Sequence, residues 1–330
     1  MLGRLTLFAM VALLAFLSGA WAALALYYRL PGNLLLRLLG SILWTALVAS
    51  LFVLMWHRHS WPPLALYAAI HAVVMLWWIS ITPSNLRAWR DDVARLLVGQ
   101  VHDDHAVLDN VRNFRWRSDS DYDIRWEQRT HDLDQLVSAD AVLSYWSGPA
   151  IAHAMISFGF DDGRHLVFSV EVRKRRDQKY SSIGGFFKQF ETILVAADEG
   201  DIIRVRTNVR HEDVYLYPLC IERGTMRALF LAYLAAANRL ASRPAFYNTF
   251  TSNCSTLVHR MARKIDPGLP WDMRLLLTGY LPEYLYEIGM LDQSLPLDEL
   301  RQRGHVTERA KSIAADTDFS HAIRQANATA

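Results

Sequence analysis

A thiol and an imidazole are the groups in this sequence best suited to breaking an acyl bond, and they stand far apart in the chain at Cys254 and His153. Cys254 lies in FYNTFTSNCSTLVHRMARKI, just after Ser252 and Asn253, either of which makes a good helix N-cap. From Cys254 the residues Leu257, Val258, Met261 and Ile265 recur at steps of three and four, the stripe of an amphipathic helix. In a first helical turn, free backbone N–H groups and the positive helix end favour the thiolate, the form that attacks carbon. The competing reading is a small buried hydrophobe, because cysteine is among the most buried residue types. A cysteine nucleophile needs an imidazole to take its proton and a third group to fix the tautomer of that ring. His153 is the candidate base and Glu171 the candidate third group. Taken alone, His153 would read as a hydrogen-bonded core histidine. An oxyanion would rest on the backbone N–H of Cys254 and the amide of Asn253, with Tyr247 and Asn248 shaping the pocket.

His153 and Glu171 must be positioned by strands. IAHAMISFGF (151–160) and HLVFSVEV (165–172) flank Asp161, Asp162 and Gly163, residues suited to a hairpin turn. If the turn is a three-residue loop, cross-strand partners sum to 324 and His153 faces Glu171. A register shifted by one residue would put Val172 opposite His153 instead. Further strands are predicted at 94–101, 106–114, 141–146, 191–197 and 213–219, and helices at 226–242 and 275–291. The stretch 198–208 is open between strand and short helix, and 112–130 reads as an ordered loop of alternating charge. Residues 180–188 read as a mobile loop near the site, and the tail after Asp292 as weak surface helix or disorder.

The apolar residues, 52% of the 330-residue chain, are concentrated at its start. Three stretches, 5–28, 33–56 and 62–82, are long enough to cross a ~30 Å hydrocarbon layer. A cleavable signal peptide competes for the first, but its apolar run is long for a signal core. Arg4 and the His57, Arg58, His59 loop on one side, against Arg29 on the other, predict a cytoplasmic N-terminus and an extracytoplasmic remainder. Mid-span His71 reads as a packed, hydrogen-bonded residue rather than part of a proton path. The expected domains are a membrane anchor at 1–84, a catalytic domain at 85–292 and a weakly structured tail at 293–330. The net charge of +2 does not decide on nucleic acid, and the extracytoplasmic location argues against it. Arg173 to Arg176 read equally as a solvated strand end or as attraction to anionic head groups. The turn His102, Asp103, Asp104, His105 has no third ligand at a recognisable spacing, so no metal site and no cofactor are expected. Cys220 and Cys254 form no disulfide framework, and Cys220 reads as core.

The runs SYWSGPAIAHAMISFGFDDG, HLVFSVEVRK, RTNVRHEDVYLYPL and FYNTFTSNCSTLVHRM, with GYLPEYLYEIGML behind them, resemble the periplasmic domain of the Lnb-type lipoprotein N-acyltransferase family, over about residues 85 to 290. That family uses a Cys and His pair to move an acyl chain onto a bacterial lipoprotein amino terminus, and the matching positions are Cys254 and His153. The order of histidine, strand and Asn-Cys at a helix start is also similar to permuted papain-like proteins, including the lecithin:retinol acyltransferase group. After the three transmembrane helices read from hydropathy, the resemblance implies a permuted papain-like domain with an antiparallel sheet and flanking helices, so the expected fold class is α+β. It implies an inner-membrane, multi-pass protein whose partners are a phospholipid acyl donor and a lipoprotein or other amine acceptor. Known family members carry their spans after this domain, whereas here three precede it, so chemistry transfers ahead of substrate. A thiol amidase or peptidase acting on peptidoglycan or peptides, and a non-catalytic membrane-anchored binding module, are the alternatives.

Overall fold

The computed structural model describes residues 2–58, 61–314 and 317–325, so His59 of the loop used for orientation lies outside the described residues. The chain divides into two compact units: Met1–Ser84 with Tyr180–Phe190, and Asn85–Lys179 with Glu191–Ala330.

The first unit holds helices α1 (Leu2–Arg29), α2 (Leu34–Arg58) and α3 (Pro62–Ser80). All three are long and apolar enough to cross a membrane. Small residues let them approach: Ala15 and Ala22 are buried, and Trp44 donates from Nε1 to the Gly19 carbonyl at 2.8 Å. Leu43, Val73, Leu76 and Ile79 are exposed, an outer surface suited to hydrocarbon. His71 packs as expected, its ring stacked on Tyr67 with centroids 5.4 Å apart. The segment 180–190, expected as a loop, belongs to this unit and packs on its helices. Phe187 stacks on Tyr28 at 5.5 Å, and Lys188 donates from Nζ to the Trp78 carbonyl at 2.8 Å. These contacts join residues distant in sequence, which periodicity does not register.

The second unit is an α+β domain. Its strands are β1 (Val98–His102), β2 (His105–Arg112), β3 (Arg115–Trp116), β4 (Tyr122–Asp123), β5 (Trp126–Asp132), β6 (Leu136–Tyr145), β7 (Ala152–Phe160), β8 (His165–Arg173), β9 (Glu191–Ala197) and β10 (Asp213–Pro218). The main sheet runs β1-β2-β9-β8-β7-β6-β10, with β5 paired to β2. It is antiparallel except for one parallel bridge between Arg112 and Ala197. Its helices are α4 (Glu199–Arg204), α5 (Arg223–Ser242), α6 (Cys254–Ile265), α7 (Leu281–Glu287), α8 (Leu297–Gly304), α9 (Thr307–Ser312) and α10 (Phe319–Arg324).

Both sheet faces are covered. Leu166, Phe168 and Leu194 pack with Phe230 and Tyr233 of α5, while Val167, Ile193 and Val195 pack with Ile202 of α4, Ala310 of α9 and Phe319 of α10. Burial on both faces explains why β8 and β9 read as apolar runs rather than as a clean alternation. The tail after Asp292 is therefore structured where described, because its short helices supply part of the second cover. The loop expected at 112–130 contains the β3–β4 hairpin and the start of β5, whose polar residues mask its pairing with β2. The stretch 198–208 resolves into α4 followed by a π turn at Val205–Val209.

Two further expectations change. Arg173 is buried, donating to the Val93 and Ala94 carbonyls and to Asn85 Oδ1 with its guanidinium 4.4 Å from the Trp89 ring centroid, so it is part of the core and not a solvated strand end. Cys220 is exposed and unbridged, because β10 ends at Pro218 and the chain leaves the sheet before the cysteine.

Candidate active site

The β7–β8 hairpin adopts the register in which partners sum to 324, from Met155 opposite Ser169 to Gly159 opposite His165. Gly163 makes the turn with φ +82°, a conformation that glycine takes without steric cost. This register brings His153 Nε2 to 3.2 Å from Glu171 Oε1. Ser169, between them on the same strand face, completes the contact. Its Oγ lies 2.7 Å from His153 Nε2 and donates to Glu171 Oε1 at 2.8 Å. With the serine proton directed at the carboxylate, Oγ accepts from Nε2–H, which leaves Nδ1 as the ring nitrogen for a thiol.

That thiol is Cys254, the first residue of α6. Asn253 is the N-cap: its Oδ1 accepts from the N–H of Ser255 at 3.1 Å and of Thr256 at 2.8 Å, and Thr256 Oγ1 accepts from the Asn253 N–H at 3.1 Å. This capping box fixes the start of the helix, and with it the sulfur. The Asn253 amide also donates from Nδ2 to the Thr249 carbonyl at 2.8 Å, so the side chain holds the turn together and is not directed at a substrate oxygen. Asn248 acts likewise, its Oδ1 accepting from Phe250 and Thr251 N–H groups while its backbone bridges to Ser252. Tyr247 is buried.

Cys254 hydrogen-bonds to His153 and to the Ala154 backbone N–H. Burial pushes its thiol up, but the His153 charge, the His153 hydrogen bond and the Ala154 N–H outweigh it and hold the pKa below the ordinary thiol value. Burial pushes the His153 imidazole down, yet Glu171 and Cys254 overcome it and raise it to about 9. Glu171 is held well below the usual carboxylate range despite its desolvation, by the charges of His153 and Arg206. The two shifts run in opposite directions, each toward the charged form of its group.

Residue spacing had pointed to neither Ser169 nor Arg206. Arg206 sits in the π turn, donates from Nη2 to Glu171 Oε1 at 2.9 Å and places Nε 3.8 Å from Glu212 Oε2. Glu212 in turn accepts from Ser144, the β6 partner of His153. The quoted runs SYWSGPAIAHAMISFGFDDG, HLVFSVEVRK and RTNVRHEDVYLYPL contain these residues, but without a period or spacing that singles them out. Near the start of β7, Thr278 accepts from Ala152 N–H at 3.1 Å and Gly279 N–H donates to the Ala150 carbonyl at 3.0 Å, fixing the chain just before His153.

Asp140, His165 and Glu199 offer ligand atoms within 4.8 Å of one another, but Arg324 already bridges them, 2.7 Å from Glu199 Oε1 and 2.5 Å from Asp140 Oδ2. A guanidinium neutralises this acidic pair. The His102–His105 turn instead supplies Asp104 to an ion pair with Arg227.

Residues 122–279 match the family model described as the Lnb N-terminal periplasmic domain, a stretch that includes His153, Ser169, Glu171, Arg206 and Cys254. No match was found among curated proteins or solved structures.

Proposed function

Starting from residues 122–279 as an Lnb-type periplasmic domain, we propose that this chain is a membrane-anchored thiol acyltransferase. It would sit in the bacterial inner membrane with its three spans and present the domain to the periplasm. The observation that carries the reading is the polarised set of Cys254, His153, Ser169 and Glu171, with Cys254 held low and His153 held high. A strand-borne histidine facing a cysteine at a helix start is also the arrangement of a papain-like thiol enzyme.

In the proposed reaction the Cys254 thiolate attacks an ester carbonyl of a phospholipid, forming a C–S bond and a tetrahedral oxyanion. The Cys254 N–H is the proposed oxyanion donor, since those of Ser255 and Thr256 are spent on Asn253. Collapse breaks the C–O bond, and His153 gives its proton to the departing lysophospholipid oxygen. An amine, such as a lipoprotein N-terminus, then attacks the acyl thioester. The C–N bond forms, the C–S bond breaks, His153 takes the amine proton, and the thiolate is restored. Glu171 and Ser169 orient the ring throughout.

Mass spectrometry of lipoprotein N-terminal peptides tests this. Deleting the chain is expected to remove an N-linked acyl group, which returns with wild-type protein and not with Cys254→Ala. Unchanged lipoproteins together with altered muropeptides would instead favour the amidase. No change in either would favour the non-catalytic binding module.

A further inference from the structure

A cavity of about 120 Å³ lies among the sheet, α5, α6 and α7. Leu143 and Ile156 of the sheet, Leu229 of α5, Val258 and Ala262 of α6 and Leu285 of α7 contribute to its walls. Protein interiors are close-packed, and voids larger than a water molecule are few. The exposed walls of this cavity are almost wholly apolar, which suits an apolar guest; an enclosed apolar cavity of ~150 Å³ admits benzene.

Two features tie the cavity to the thiol. Cys254 opens α6, whose Ser255, Val258 and Ala262 line the cavity, and it belongs to the same buried cluster as the walls. Tyr233 also lines it, wholly buried, with a hydroxyl that has no hydrogen-bond partner among the described residues. Burial of an unpaired hydroxyl costs stability, so an occupant with an acceptor oxygen would relieve it. Burial, and then the Cys254 charge, push the Tyr233 phenol up.

We propose that this cavity seats the apolar chain of the acyl group destined for Cys254, with the Tyr233 hydroxyl donating to an oxygen of that group. The proposal rests on the acyltransferase reading and adds where the chain goes. By comparison with benzene, the space takes roughly six carbons. A longer chain must displace wall side chains or continue outside.

The test is photo-cross-linking of the full-length Cys254→Ala protein in detergent, using the methyl ester of a six-carbon acid with a terminal diazirine and mapping adducts by mass spectrometry. Adducts on Leu229, Val258, Ala262 or Leu285 are expected, reduced at least tenfold by Ala262→Phe. If Ala262→Phe does not fold, Tyr233→Phe serves. It removes only an unpaired hydroxyl, so melting should be unchanged or raised, and it should weaken labelling by the ester probe but not by a diazirine alkane of equal length. Adducts confined to other surfaces, or labelling that neither variant alters, would overturn the proposal. A wild-type protein that fills its cavity yet never forms a thioester would sink the reaction. A thioester on a protein whose cavity takes no probe would sink the cavity assignment alone.

Discussion

In the proposed site the proton shared by Cys254 and His153 rests on the ring, and this arrangement has a pH signature. An ordinary thiol gains about tenfold in thiolate per pH unit below ~8.5. With Cys254 held below the ordinary thiol value, its alkylation by iodoacetamide is expected to change less between about pH 6 and pH 8 than that of a small free thiol. In Glu171→Gln the imidazolium loses the neighbouring negative charge, His153 falls, and the pH above which acyl transfer declines should fall with it. An unchanged profile would remove Glu171 from the role assigned to it. Because His153 must carry a proton to the leaving oxygen, acyl transfer should decline as pH passes about 9, where the ring loses it. Glu171 was legible in the sequence because hairpin arithmetic is local. Arg206 was not, since it reaches Glu171 from a π turn 35 residues away and follows no period.

Local structure supports the pair at three points. Asn253→Ala removes the cap of α6 and should cost ~1–2 kcal/mol by urea unfolding, while raising the Cys254 pKa as the helix start loosens. Gly279 is a close approach: a Cβ there would stand 2.0 Å from the Pro149 carbonyl. Gly279→Ala must displace the 278–280 turn from the start of β7, so a lower kcat is expected, and full activity would show that this turn does not hold His153. Arg206→Met leaves Glu171 and Glu212 without their shared cation and should destabilise the domain by about 3 kcal/mol in a thermal or urea melt. The hairpin and the Cys254 helix were readable because Gly163, Asn253 and an apolar stripe announce them. β5 and the tail helices were not, because polar residues hide the first and only contact with the sheet stabilises short helices such as α9 and α10.

The two units differ in how far sequence reveals them. Three long apolar helices are plain from hydropathy, but the inclusion of 180–190 with them depends on aromatic contacts such as Phe187 on Tyr28. The proposed orientation can be checked through Cys220, which is exposed. In a Cys254→Ala background, a membrane-impermeant maleimide added to intact spheroplasts should label Cys220. Labelling only after lysis would reverse the topology and place the chemistry on the wrong side for lipoproteins. The central claim is covalent, and mass spectrometry of the full-length protein incubated with phospholipid tests it most directly. The Cys254 peptide should gain the mass of one acyl chain, lose it to neutral hydroxylamine, and never gain it in His153→Ala; a wild-type Cys254 that stays unmodified while acyl transfer proceeds would contradict the account.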